Sequence, residues 1–339
     1  MLGEFELIGL LRERIASAGA GGGDRLVVGS GDDAAVTVPG GATATSVDAI
    51  VDGVHFRRDI FSPEAIGAKA LAVALSDLAA MGAQPGEAYV QMGLPAEISE
   101  RELTGIADGL GASAAAARVV VAGGDVVGSP VLFLAITVVG HAATADALVQ
   151  RTGARPGDAL VLTGPLGGAA AGLLLLESPA LEAGLVDDLS EALRDRQLEP
   201  VARTEAGVAL AHAGASAMID VSDGLAADAG HLARSSSVRL VIDLPESSIQ
   251  EGVATVAGAA GRDPLDLAVG GGEDYELLAA VPADRLEPAL AVVRATGLDP
   301  AVIGQVENGE GVVLRGPTGR EASIRGFDQV RSRARAGPT

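Results

Sequence analysis

Two aspartates three residues apart, Asp220 and Asp223, stand in the stretch IDVSDGL (Ile219–Leu225), among apolar neighbours and just before a glycine. Ionised carboxylates about 5 Å apart repel by roughly 3 kcal/mol at an effective dielectric of about 20. An incoming cation or a retained proton must relieve them. The pattern recurs: Asp32 and Asp33 in GSGDDAAV, Asp48 and Asp52 in SVDAIVDGVHF, Asp77 in ALSDLAAMG, Asp125 in AGGDVVG, and Glu273 and Asp274 in GGGEDYELL. These read as turn positions beside glycine or as strand ends, and Asp and Gly are ordinary turn residues. Asp48, Asp77 and Asp220, however, are set among apolar or small residues, where an uncompensated carboxylate is costly. A donor set made of oxygens suits hard cations, Mg²⁺ above all, and Mg²⁺ is commonly shared between carboxylates and substrate phosphates. The chemistry indicated is metal-assisted handling of a nucleotide.

Other routes to a nucleotide are closed. No Walker P-loop occurs, and the only lysine is Lys69. No strand–GxGxxG–helix unit with a following acid is present. The Gly-rich TGPLGGAAAG (Thr163–Gly172) either offers amides at a helix N-terminus or serves close helix–strand packing. His55, seven residues after Asp48, is read as a substrate contact or a structural histidine. Lys69 is read as solvated or structural, on a helix flank.

Composition narrows the class. A net charge of −21 over 339 residues excludes nucleic acid as a partner, because phosphate backbones need basic patches. Aromatics are 2% of the chain, too few for a base-stacking surface, so a core must come from Ala, Val, Leu and Ile. Cysteine is absent, which removes thiolate catalysis, disulfides and thiolate-bound metals, and fits a cytoplasmic location. The first residues carry Glu4 and Glu6 and lack the basic start of a signal peptide. The longest uncharged run, Val126–Ala145, is interrupted by Gly128, Pro130 and Gly140, so it reads as a turn plus a buried strand and no membrane is expected.

Such residues need a scaffold. Helical periodicity marks Phe5–Ala18, Pro63–Met81, Ser99–Ala117, Leu189–Arg196 and Val201–Ala213. Strands are expected at Leu26–Val28, Ala34–Val38, Ala42–Val47, Ala88–Leu94, Val119–Ala122 and Val131–Val139. In the second half they are expected at Ala159–Thr163, Ala217–Val221, Arg239–Asp243, Glu276–Val281, Ala301–Val306 and Val312–Leu314. A junction near Ala142–Gln150 divides the chain into domains 1–145 and 146–339. The halves echo one another in ALSDLAAMGA (Ala74–Ala83) and DVSDGLAADAG (Asp220–Gly230).

Taken in order, GEFELI (Gly3–Ile8), GSGDDAAV, SVDAIVDGVHF, KALAVALSDLAAMGA, GGDVV, RTGARPGD, IDVSDGL, GGGEDYEL and RGFDQV resemble the thiamine-monophosphate kinase family, in the aminoimidazole-ribonucleotide-synthetase-like ATP-binding superfamily. The resemblance covers nearly the whole chain. It implies a two-domain α/β (α+β) fold, with an N-terminal ATP- and Mg²⁺-binding domain whose sheet pairs in a homodimer and a C-terminal α/β domain that completes the active site. The implied reaction is direct transfer of the γ-phosphoryl group of ATP to thiamine monophosphate, giving thiamine diphosphate, the last step of that biosynthesis. Asp33, Ser46, Val47, Asp48, Asp77, Asp125, Asp220 and Asp223 fall on the family's magnesium positions. Gly124, Asp125, Arg151 and Ser222 fall on ATP contacts, and His55, Glu273 and Phe327 on thiamine-phosphate contacts. Val47 stands where the family often has Thr, so a metal contact there would use its backbone carbonyl. Ala74 replaces an often-seen Asn, and Phe327 replaces a Tyr or Trp. Two other readings remain open at this point: a related ATP-dependent synthetase or maturation enzyme, and a non-catalytic acidic protein that binds metal or nucleotide.

Overall fold

The strands of the first half are half-apolar, and this alternation is what lets one sheet carry helices on one face only. A computed structural model describes residues 4–29 and 34–322. The chain divides into two units between Leu148 and Val149, with Ala80–Gly82 grouped with the second.

The first unit contains α1 (Glu4–Ser17), β1 (Leu26–Val28), β2 (Val36–Thr37), β3 (Ala42–Val51), α2 (Pro63–Ala80), β4 (Gln84–Leu94), α3 (Glu100–Ala116), β5 (Val120–Gly128) and β6 (Phe133–Ala142). Its main sheet has the order β3-β6-β4-β5. β6 is antiparallel to both neighbours, and β4 and β5 are parallel. Ile50, Val90, Met92, Leu134 and Ile136 are buried on one face, and α2 and α3 contribute Leu71, Leu75, Leu78, Ile106 and Leu110 to the core. On β3 the alternate residues Thr43, Thr45, Val47 and Ala49 are exposed. Helix α3 starts at a capping box, with Ser99 and Glu102 each bonded to the other's backbone N–H.

The second unit contains β7 (Ala159–Leu162), α4 (Gly168–Glu177), α5 (Asp187–Leu198), α6 (Thr204–Ala213), β8 (Ala217–Asp220), α7 (Leu225–Ser236), β9 (Arg239–Asp243), α8 (Val253–Ala259), α9 (Pro264–Gly270), β10 (Leu277–Val281), α10 (Leu286–Ala295), β11 (Ala301–Glu307) and β12 (Gly311–Arg315). Its six strands run in the order β12-β9-β11-β7-β10-β8, antiparallel except for β12 with β9. The core is aliphatic, with Leu160, Leu162, Ile219, Leu232, Leu240 and Leu278 at its centre. No helix among the described residues is long and apolar enough to cross a membrane.

Several elements depart from expectation. β3 runs on through Asp48 to Val51 because β6 pairs with it along its whole length. β5 runs through the glycines of AGGDVVG. A Cβ at Gly124 would lie 2.1 Å from the carbonyl oxygen of Val90, so glycine is what allows the two parallel strands to meet there. Asp48 and Asp125 thus lie inside strands and Asp77 inside α2, and the turn explanation fails for all three. The echo between the halves is no structural repeat, since Asp77 is helical whereas Asp223 lies between β8 and α7. Lys69 is fully buried, with Nζ 5.1 Å from the Phe61 ring centre, which excludes a solvated role.

Candidate active site

On β3, residues of one parity point to the buried face. Ser46 and Asp48 have that parity with Ile50, whereas Val47 points outward and is 65% exposed. Ser46 Oγ donates to Asp77 Oδ2 from α2, which joins the strand to the helix. The chain then turns tightly at Gly53, and the Val51 N–H donates to His55 Nδ1 at 3.1 Å. That bond leaves the neutral ring's proton on Nε2. Ser46, Asp48 and Asp77 therefore belong to one region, with His55 beyond the end of the same strand.

Asp125 and Gly124 lie elsewhere in this unit. β3 and β5 are the two edges of the sheet, about 14 Å apart at normal strand spacing. Asp48 pairs with buried Ile136, and Asp125 pairs with exposed Gln91, so the two acids are also on opposite faces. Within one copy of this unit they do not share an ion. Gly124 and Asp125 instead border a cavity of about 700 Å³, walled by apolar groups including Leu11, Ile15, Met92, Ile106 and Leu110.

The second unit assembles a tighter acidic group. Asp220 ends the buried edge strand β8, and the chain continues alongside the GGGEDYE segment. Val221 N–H donates to the Glu276 carbonyl, Tyr275 N–H to the Val221 carbonyl and Glu273 N–H to the Ser222 carbonyl. This ladder places Glu273 next to Ser222. It requires left-handed backbone at Gly272, where a Cβ would meet the Ser222 carbonyl at 2.7 Å, and also at Glu273 (φ +60°) and Tyr275 (φ +50°). Left-handed conformations cost non-glycine residues roughly 1–2 kcal/mol each and cluster at functional sites.

Asp228, in the first turn of α7, completes the group. Its Oδ2 accepts from the N–H groups of Ser222 at 3.0 Å and Asp223 at 3.1 Å. Burial, and then the charges of Asp220 and Asp223, push its carboxyl up to about 8 despite those two bonds. Arg151 is exposed nearby. Its neighbour Gln150 bonds to the start of β8 through the Met218 N–H, and Ser236 Oγ donates to the Arg151 carbonyl. His231 on α7 has its pKa lowered by burial, then by Arg234 and Arg151, with Asp223 opposing.

The neighbouring acids are spent differently. Asp274 accepts from the N–H groups of Gly167 at 2.8 Å and Ala169 at 3.2 Å, so the protein's own carboxylate caps the Gly-rich helix start. Burial pushes Asp274 up to about 6, with Arg196 and the amides opposing. Glu276 is fully buried between Arg203 (2.6 Å and 3.0 Å), Arg196 (3.0 Å) and the Thr163 hydroxyl (2.7 Å). Burial works against its ionisation, but Arg203 foremost, with Arg196 and Thr163, holds its pKa below the ordinary value.

Asp33 and Phe327 lie outside the described residues. Sequence reading missed Asp228, Arg196, Gln197 and Arg203. Asp228 follows Asp223 within the same motif and could have been found there, whereas the arginines lie more than 70 residues from the glutamate they bind. Among the described residues, no group of three or more His, Asp or Glu forms a metal cage by itself. Carboxylates available in ones and twos, under like-charge pressure at Asp228, nonetheless suit Mg²⁺, which usually keeps waters and takes the rest of its ligands from substrate phosphates.

Comparison with known proteins agrees over both units. Residues 31–142 match the N-terminal domain and residues 155–316 the C-terminal domain of AIR synthase related protein. The thiamine-monophosphate kinase of Mycobacterium tuberculosis is 38% identical over 283 residues, 82% of this chain and 80% of that one. The crystal structure of thiamine-monophosphate kinase from Stenotrophomonas maltophilia is similar with a TM-score of 0.82 at 34% identity, covering 92% of this chain and 97% of that one. The structure of AaThiL complexed with AMPPCP and TMP gives a TM-score of 0.74 at 31% identity over 96% of each chain. The chain belongs to the AIR synthase related family and, within it, to the thiamine-monophosphate kinases.

Proposed function

We propose that this chain transfers the γ-phosphoryl group of ATP to the phosphate of thiamine monophosphate, yielding thiamine diphosphate and ADP. The observation that carries the reading is the end-to-end likeness, at 31% identity, to AaThiL complexed with AMPPCP and TMP. An oxygen of the acceptor phosphate forms the new P–O bond, and the bond from the γ-phosphorus to the β–γ bridging oxygen breaks in line with it. The acceptor oxygen is already anionic, so no strong base is required of the protein.

In this reading Ser46, Asp48 and Asp77 of the first unit, and Asp220 and Asp223 of the second, hold Mg²⁺, with Val47 limited to its backbone carbonyl because its side chain points away. Asp33 and Asp125 are assigned to Mg²⁺ from the family pattern. Mg²⁺ held there would supply neutralisation of charge on the two phosphate chains. Gly124, Asp125, Arg151 and Ser222 contact ATP, and the apolar cavity beside Gly124 is roomy enough for a nucleoside. His55, Glu273 and Phe327 contact the acceptor. The exposed face of β3 supports a homodimer formed through the first unit's sheet, and the absence of cysteine is in keeping with work in the cytoplasm.

The test is incubation with Mg-ATP and thiamine monophosphate, followed by chromatography. Thiamine diphosphate should form, and free thiamine should not be phosphorylated, because its neutral hydroxyl has neither a charge to bridge through metal nor a base to activate it. ATP binding without turnover, or comparable turnover of free thiamine, would overturn the reading.

A further inference from the structure

Two consecutive residues of α5 act on the GGGEDYE segment. Arg196 donates to the backbone carbonyls of Asp274 at 3.1 Å and Pro165 at 3.3 Å, and to the Glu276 carboxylate. Gln197, only 3% exposed, directs its side-chain amide onto Glu273 Oε2 at 2.8 Å. The backbone of Glu273 is already fixed, by its left-handed conformation and by its N–H bond to the Ser222 carbonyl. The amide of Gln197 adds a constraint on the side chain. Among its uses, an amide donor buried on a helix can fix the plane of a carboxylate without neutralising it. An arginine in that place would cancel the charge, as Arg203 does at Glu276.

A carboxylate held in one orientation suits a ligand with a cationic or N–H-rich heteroaromatic ring. We propose that Gln197 is a positioning residue that sets affinity for the acceptor by orienting the Glu273 carboxylate. This rests on the reading of Glu273 as an acceptor contact. Gln197 would touch neither ATP nor the reacting oxygens, so its influence belongs in ground-state recognition of the acceptor.

The experiment is a double-mutant cycle on the full chain, with Gln197→Met and Glu273→Gln alone and together, read as steady-state KM for each substrate and kcat. Met keeps the length and volume and removes the donor. Gln197→Met should raise KM for thiamine monophosphate about 10-fold, the scale of one hydrogen bond to a charged group, and leave kcat and KM for ATP within about twofold. In the Glu273→Gln background it should add nothing. An equal rise in that background, or a matching rise in KM for ATP, would overturn the assignment. The isosteric Gln197→Glu gives a second route should Gln197→Met fold poorly. Assayed at alkaline pH, where both carboxyls ionise, the two like charges should raise the same KM further, and an unchanged value there would count against the proposal. Turnover that responds to Glu273→Gln but ignores Gln197→Met would sink the role of Gln197 alone. Turnover of thiamine monophosphate indifferent to Glu273→Gln would overturn the reading of Glu273 beneath it.

Discussion

Two groups of buried carboxylates adjoin the same ladder in the second unit, and the chain treats them in opposite ways. Glu276 has two arginines and a hydroxyl, and its pKa is held down. Asp228 has backbone amides and the charges of two more aspartates, and its pKa is raised. The first group is internally neutralised and can serve as scaffold. In the second, burial and like charge keep a proton on Asp228 that a cation arriving with the substrate would displace. Sign alone does not sort the acids, since Asp274 caps a helix with its pKa raised by burial; what separates Glu276 from Asp228 is that arginines offset the burial of one and like charges add to the burial of the other.

The largest test of this contrast is Arg203→Ala. It leaves Glu276 buried with only part of its compensation, and removing one partner of a buried pair typically costs about 3–5 kcal/mol. Urea melts should show a loss near the lower figure, since Arg196 remains, and an unchanged midpoint would break the scaffold half of the contrast. Next is Asp220→Asn, which should lower kcat by at least about 10²-fold, the scale of losing one preorganised electrostatic group. Its fold should persist, and near-normal turnover under subsaturating Mg²⁺ would remove Asp220 from the reacting centre.

The smallest effect is expected at Asp228→Asn, where the sign reverses. A folded pKa raised from 3.8 to about 8 means that ionisation opposes folding, so metal-free protein should lose stability as pH rises from about 4 toward 8. Asn keeps an acceptor for the two amides and removes the charge. In chelator at pH 8 the variant should melt a few degrees higher than the parent, a gain on the order of 1–2 kcal/mol, with a flatter pH profile. A lower melting temperature would mean that the charge itself is needed by the fold.

The legible parts of the molecule were those with local signals. Periodic apolar spacing marked the long helices α2 and α3, and the order of short motifs pointed to both domains. Local signals misled where a partner strand decided the outcome. Asp48 and the glycines of AGGDVVG resemble strand ends or turns, yet pairing with β6 and β4 extends both strands through them. The seven-residue helices α8 and α9 went unread because two turns give too little periodicity, and the longer α7 and α10 went unread as well. Asp228 went unread because α7 itself was not expected, so nothing marked its first turn as the place where a carboxylate could reach back to the Ser222 and Asp223 amides. The placement of Asp125 across the sheet from Asp48 depends on strand order, which no local pattern encodes.

Lys69 is the chain's single lysine, and it is sealed in the first unit against Phe61. Folded protein therefore presents no lysine side chain to acylating enzymes, to lysine-directed cross-linkers or to proteases that cut after lysine. Its ammonium becomes accessible only when α2 opens, so covalent modification at that position would act as a timer of local opening in the first unit and record excursions that leave the average structure unchanged.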